Sequence, residues 1–255
     1  MHISGSTAIV TGGASGLGEA ICRRLIELGA TAIAFDVDAE RGERLHNELG
    51  DAFGCLAVDV SDTLAIEAAV SQVTERFGDI GIAVNAAAIP APARLVGKSG
   101  PLPMDVFDRG IKINLYGPVN VMRSVAAAMV RNEPDADGER GILVNVSSGA
   151  AWEGQIGQVA YSASKAALVG MTLPLARELG AYGIRVMTLA PGAFETPIYA
   201  QVPDAVRDGL IADSVFPARM GRPAEFALLV EEVIRNAMHN GRTLRLDGGL
   251  TLRSR

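Results

Sequence analysis

The stretch Thr11-Gly-Gly-Ala-Ser-Gly-Leu-Gly18 limits the possible folds more than any other in the chain. It follows a short apolar strand, Thr7–Val10, and opens a helical pattern from about Leu17 to Leu28. In that pattern Ala20, Ile21, Leu25 and Leu28 share one face. Gly29 marks the helix stop, and a second strand, Thr31–Phe35, runs into Asp36. Strand, glycine turn, helix, strand and a carboxylate about twenty residues on make a βαβ unit. Such a unit needs parallel strands and a crossover helix that covers one sheet face.

Each part of the unit suits a dinucleotide. Glycines at 12, 16 and 18 let the backbone approach a pyrophosphate, and Ser15, Leu17 and the helix N-terminus supply unpaired N–H groups and a positive dipole end. Asp36 is placed to accept hydrogen bonds from the adenosine ribose hydroxyls. Its charge repels a 2′-phosphate, and Gly13, Ala14 and Ser15 bring no cation to attract one, so NAD is expected rather than NADP. A competing role for Asp36 is to cap the next helix, Asp38–Leu49.

The alternation continues along the chain. A strand at Ala52–Val58 ends in Asp59-Val60, placed to meet an adenine ring, and a helix covers about Thr63–Phe77. A strand at Ile80–Val84 ends in Asn85-Ala86-Ala87-Ala88. Ile89–Pro103, with four prolines, is a loop; its Arg94 and Lys98 could meet an anionic substrate tail. One long helix is expected from about Met104 to Arg131, with Asn114 in its middle. A strand at Gly141–Val146 ends at Ser147-Ser148, and a helix carrying Tyr161 and Lys165 runs to about Tyr182. Strand Ile184–Leu189 ends in Ala190-Pro191-Gly192; the mixed segment 193–220 reads as a substrate lid; a helix at Ala224–Ala237 and a strand at Thr243–Leu246 close the chain. Repeated β-α units imply a single α/β domain over residues 1–255, a doubly wound parallel sheet with ligands at the strand carboxyl ends.

Tyr161 and Lys165 are four apart, hence one helical turn apart on one face. A cation there favours the phenolate, which a phenol titrating near ~10 needs for proton exchange at neutral pH. Such pairs also arise by chance in helices, so the rest of the chain carries the argument. The net charge of -6 argues against nucleic acid as a partner. His2, His46 and His239 fit no metal motif, and no metal is expected. No apolar run is long enough to span a bilayer, and no signal peptide is visible. Cys22 and Cys55 read as buried reduced thiols, so a cytoplasmic protein is expected.

With these pieces placed, the chain resembles the short-chain dehydrogenase/reductase family over essentially its whole length. The matching residues are Thr11–Gly18, Asp59, Asn85-Ala86-Ala87, Asn114, Ser148, Tyr161-x-x-x-Lys165 and Pro191-Gly192. The resemblance implies a Rossmann fold with seven strands in the order 3-2-1-4-5-6-7 and helices on both faces. It implies Tyr161 as the acid/base, Lys165 lowering its pKa and bonding the nicotinamide ribose, Ser148 on the substrate oxygen, and Asn114 holding a water that links Lys165 to solvent. Pro191, Gly192, Phe194 and Thr196 would meet the nicotinamide end of NAD. Ser148 is preferred over Ser147 because it lies thirteen residues before Tyr161, the family spacing.

Within that family, Trp152–Gln158, Gly183–Gly192 and Phe216–Glu225 resemble the type II 3-hydroxyacyl-CoA dehydrogenases. That implies conversion of a (S)-3-hydroxyacyl-CoA to a 3-oxoacyl-CoA, with Gln155 and Gln158 lining the substrate site, and a homotetramer. The alternatives are a secondary-alcohol or steroid dehydrogenase, a 3-oxoacyl-carrier-protein reductase, or a dinucleotide-binding scaffold without turnover. Two departures stand out. Ala88 replaces a glycine, which matters if that position needs a positive φ, and Trp152 replaces a smaller phenylalanine, which would reshape the pocket.

Overall fold

The computed structural model describes residues 1–98, 100–197 and 204–254. Strand β1 (Thr7–Thr11) leads into α1 (Gly16–Glu27), β2 (Thr31–Asp36), α2 (Ala39–Leu49), β3 (Phe53–Ala57), α3 (Thr63–Phe77) and β4 (Ile80–Asn85). Then come α4 (Met104–Ile111), α5 (Gly117–Met129), β5 (Gly141–Val146), α6 (Val159–Leu179) and β6 (Ile184–Pro191). The chain closes with α7 (Asp204–Asp213), α8 (Pro223–Arg235) and β7 (Thr243–Leu246). Of the expected lid, residues 198–203 lie outside the described residues.

All seven strands pair in parallel, in the order β3-β2-β1-β4-β5-β6-β7. This is the single-domain, doubly wound α/β sheet expected. Strand periodicity divides the core in two, because successive side chains point to opposite faces. Ala8, Val10, Ile82, Val84, Ile142 and Val144 pack with Ile21 and Leu25 of α1 and Val230 and Val233 of α8. Ile9, Ile33, Phe35, Ala83 and Leu143 pack on the other face with Val70 and Val73 of α3 and Val121 and Val125 of α5. Both faces are therefore consumed by packing. The strand order reverses between β1 and β4, which opens a crevice at their carboxyl ends.

The long helix expected from Met104 to Arg131 is interrupted. Residues Lys112–Tyr116 form a π-helical turn between α4 and α5, and Asn114 sits in it, fully buried. The widened turn carries the Asn114 amide inward, where it bonds the backbone of Ile89 in both directions. Hydrophobic periodicity cannot reveal this, because the apolar faces on either side continue through it.

Buried charge locks the end of α8. Arg185, at the start of β6, is 6% exposed and donates to the carbonyls of Val233, Ile234, Asn236 and His239. Its remaining edge pairs with Glu139 at 2.7–2.8 Å. The guanidinium thus satisfies carbonyls that a helix end leaves without partners. Removing the guanidinium leaves four carbonyls without that donor and the buried Glu139 with only the Met1 ammonium, 3.2 Å away. Arg185→Leu is expected to cost about 3–5 kcal/mol, measured by urea unfolding, while the far-UV spectrum of the folded form is unchanged.

Candidate active site

The end of α1 is built to receive an anion. Asp38 caps α2 by accepting from the Arg41 N–H, and Asp62 caps α3 by accepting from the Ala65 N–H. Ser15, at the same position on α1, makes no side-chain cap bond. The N–H groups of the first helical turn are thus left without a side-chain cap. Gly12 has φ +65°, and a side chain there would press on the backbone of Ala87. At Gly18 a Cβ would collide with the carbonyl of Gly12. The buried Thr11 hydroxyl accepts from the N–H of both Ala86 and Ala87, tying the β4 exit to the turn.

Asp36 ends β2 beside this turn. One carboxylate oxygen accepts from Ala14 N–H at 3.1 Å and the other from Asp38 N–H at 3.0 Å. The cap of α2 is Asp38, so Asp36 is not the capping residue. Asp36, Asp59 and the buried Val60 line a cavity of about 660 Å³ together with Gly12, Ser15, Ala87 and Ala88. Its far wall comes from α4 and the π turn: Asp105, Asp108, Arg109 and Lys112. Sequence reasoning missed these four, since on a helix they look like ordinary solvated charges.

A second cavity, of about 240 Å³, shares Gly12, Ser15, Ala87 and Ala88 with the first. Gly16, Leu17, Gly18, Ala86, Pro191, Gly192, Phe194 and Thr196 line it, and so do Ser148, Tyr161 and Lys165. The two adjacent serines take opposite tasks. Ser147 is buried and its hydroxyl donates to the carbonyl of Lys165 at 2.8 Å, fastening α6 to β5. Ser148 faces the cavity, and its oxygen accepts from Ala150 N–H at 3.2 Å. Lys165 is 2% exposed; its ammonium donates to the Val146 carbonyl at 2.7 Å and lies 5.7 Å from the centre of the Tyr161 ring. Burial pushes the Lys165 pKa down to about 8. The residues present fit a dinucleotide laid from Asp36, across the glycine turn, to Tyr161.

Several expected site residues fall elsewhere. The Asn85 side chain lines neither cavity: it is buried, and its amide donates to Asn145 at 2.9 Å across the ends of β4 and β5. Only the backbone that follows it reaches the cleft. The Asn114 amide is committed to Ile89, so a water held through that side chain would have to share it. Gln155 and Gln158 bond each other and line a separate groove with Arg94, Leu95 and Val96. That groove exists because the 89–103 loop docks on them, with Ala93 N–H donating to Gly157. Trp152 is half exposed, outside the Tyr161 cavity, and stacks under the Arg245 guanidinium at 5.5 Å. Ala88 has no positive φ; among the described residues the only non-glycine that does is Ala91.

The thiols are not reactive candidates. Cys22 is buried and its pKa is pushed up by desolvation, and that of Cys55 is pushed up to about 11 for the same reason. Among the described residues no group of three or more His, Cys, Asp or Glu side chains could hold a metal ion, and no helix is long and apolar enough to cross a membrane.

The family model described as short chain dehydrogenase matches residues 6–207. The chain belongs to the short-chain dehydrogenase family. It is accordingly an oxidoreductase acting on CH–OH donors that uses a nicotinamide dinucleotide. It is 45% identical to 3-hydroxyacyl-CoA dehydrogenase type-2 of Bos taurus over 98% of this chain and 97% of that one. The human protein of that name is 42% identical over the same shares. A crystal structure of 3-hydroxyacyl-CoA dehydrogenase type-2 from Mycobacterium avium superposes with a TM-score of 0.92 at 39% identity, covering 98% of each chain. A 3-ketoacyl-(acyl-carrier-protein) reductase from Brucella melitensis, complexed with NADH, superposes at 0.86 with 29% identity, covering 98% of this chain and 100% of that one.

The buried ammonium makes stability depend on pH in a definite direction. Folded Lys165 gives up its proton near pH 8, whereas the unfolded side chain does so near its ordinary 10.5. Between these values the unfolded chain holds more protons at this site, so its contribution to stability rises with pH. Below pH 8 both states hold the proton and the folded state bears the full cost of burying the charge. Lys165→Met abolishes this titration. From pH 7.5 to 10 the urea stability of the wild type should therefore gain on that of the variant, and a constant difference would count against the buried charge.

Proposed function

We propose that this chain oxidises (S)-3-hydroxyacyl-CoA thioesters to 3-oxoacyl-CoA with NAD+ as cofactor. The reading of the reaction rests on one observation: Ser148, Tyr161 and the buried Lys165 share a cavity that continues into the glycine turn. The substrate class is supported by the names of relatives that align from end to end. Bound NAD+ supplies the hydride acceptor. Tyr161, as phenolate, takes the hydroxyl proton from the substrate alcohol, and the carbinol C–H electron pair leaves as hydride. The alcohol oxygen becomes the ketone oxygen, and the Ser148 hydroxyl donates to it. Such a donor in a water-poor site contributes about 3 kcal/mol to the barrier change. Lys165 keeps a positive charge beside the phenolate, at the distance its bond to Val146 sets. Asn114 acts as a brace, holding Ile89 and with it the β4 exit.

NAD rather than NADP is inferred from Asp36, whose negative charge at the end of β2, in the cavity beside the glycine turn, would repel a 2′-phosphate. A homotetramer in the cytoplasm is inferred with it. In support, Ala163, Ala166 and Gly170 are exposed on α6, where small side chains permit close approach of a second copy.

The deciding measurement is initial-rate oxidation of 3-hydroxyacyl-CoA esters of several chain lengths, of steroids and of simple secondary alcohols, with both cofactors. The thioesters should lead with NAD+; preference for NADPH and a carrier-protein thioester would give the reductase reading instead. Tyr161→Phe should lower kcat by at least about a thousandfold while NAD+ still quenches or shifts the protein fluorescence on binding. Unimpaired turnover in that variant would remove Tyr161 as the acid/base. Asp36→Asn should improve the NADP-to-NAD ratio of kcat/KM by about tenfold or more, because it removes a like charge from the 2′-phosphate position.

A further inference from the structure

Residues 248–254 run between two parts of the molecule: α7 and the segment 149–158 that follows Ser148. On the side of α7, Leu250 is buried and joins Leu210, Ala193 and Met220 in an apolar cluster, with Leu252 and Ile211 packed against it. Arg253 pairs with Asp213, the last residue of α7, at 2.6 Å, and that carboxylate is only 10% exposed. The Gly248 carbonyl accepts from the N–H of both Val215 and Phe216, just beyond α7.

On the other side the same residues grip the segment after Ser148. Glu153 accepts from the N–H of Leu252 at 3.0 Å and pairs with Arg245 at 2.8 Å. Arg245 also holds Asp247 at 2.6 Å, donates to the Leu250 carbonyl and lies over the Trp152 ring. The Ile156 N–H donates to the Ser254 carbonyl at 3.1 Å, and the Gln155 amide donates to that of Arg253 at 3.1 Å. Gly248 and Gly249 both have positive φ, which bends the chain out of β7 and into this path. Ser148, Glu153, Arg245, Leu250 and Leu252 close around a gap of about 20 Å³.

We propose that residues 248–254 are a strap that couples α7 to the segment 149–158, with Glu153, Arg245, Asp213 and Arg253 as positioning residues for the substrate. The proposal rests on the reading of the Ser148–Tyr161 cavity as the place of alcohol oxidation. The contacts expected for the adenosine end of NAD, at the glycine turn and Asp36, lie away from the strap, whereas Pro191 and Gly192, expected at the nicotinamide end, line the gap it closes. Loss of a latch at the α7 end or at Glu153 therefore loosens substrate binding more than NAD+ binding, most of whose contacts lie outside the strap.

The test compares wild type with Asp213→Asn, Arg253→Ala, Arg253→Lys and Glu153→Gln, in the full chain. Amide hydrogen exchange is read first, on the protein without ligands. Asp213→Asn and Arg253→Ala alter the α7 end only, yet each should speed exchange across 149–158 by about fivefold, and Arg253→Lys should restore it. Kinetics follow, on whichever secondary alcohol the wild type oxidises. The substrate KM should rise about fivefold with kcat and the NAD+ dissociation constant within twofold of wild type. Asp213→Asn combined with Glu153→Gln should cost less than the product of the single effects, because both act through one strap. Unchanged exchange at 149–158 overturns the coupling, and faster exchange with an unchanged substrate KM overturns the positioning role. If the wild type oxidises no 3-hydroxyacyl-CoA, the substrate reading falls, while the exchange result still decides the strap.

Discussion

A parallel sheet with both faces buried leaves only its strand ends free for chemistry, and that constraint organises this molecule. The two core clusters occupy the faces completely. Every group lining the two cavities therefore comes from a strand carboxyl end or from a turn or helix beside it. Thr11 and Gly12 leave β1, Asp36 ends β2, Asp59 follows β3, Ala86–Ala88 follow β4, Ser148 follows β5 and Pro191 ends β6. The reversal of order between β1 and β4 separates two crossovers and opens the cleft between them.

Within that cleft the decisive electrostatic fact is a lysine kept out of water. Desolvation disfavours its charged form, and one carbonyl, that of Val146, accepts its bond. The protein tolerates the cost because the same charge lies beside the Tyr161 ring. The neighbouring serines show how strand geometry separates structure from chemistry. The Ser147 hydroxyl is spent on the Lys165 carbonyl and fastens α6, while the Ser148 hydroxyl, in the same cavity, remains able to donate. The proline at position 174 lies within α6 without ending it, beyond the turns that carry Tyr161 and Lys165.

Much of this was legible in the residues. The glycine turn, Asp36 and the Tyr161–Lys165 pair are local patterns, and local geometry follows from spacing along one element. The alternation of strands and helices is equally local, whereas the number and order of the strands were what the family resemblance implied. What was not legible shares a cause. Asn85 belongs to the matched family motif, but that motif does not tell that its side-chain amide bonds Asn145 across the sheet, sixty residues away. The π turn at Lys112–Tyr116 depends on Ile89 accepting the Asn114 amide. The resemblance implies that Gln155 and Gln158 line the substrate site and that Trp152 shapes it; the Gln155 amide bonds the Arg253 carbonyl and Trp152 lies under Arg245, groups from the far end of the chain.

The sequence by itself determined a βαβ frame, a dinucleotide turn and a phenol with a cation one helical turn away. It could do so because backbone permissiveness, apolar period and residue spacing act over a few residues. Only the tertiary structure decided that Lys165 is dehydrated, that the Ser147 hydroxyl is spent on the Lys165 carbonyl, and that α4 walls the end of the cleft near Asp36. It alone decided that the last residues run between α7 and the segment beside Ser148. Those outcomes rest on burial and on bonds between residues far apart in the chain, and neither is written in any short stretch of it.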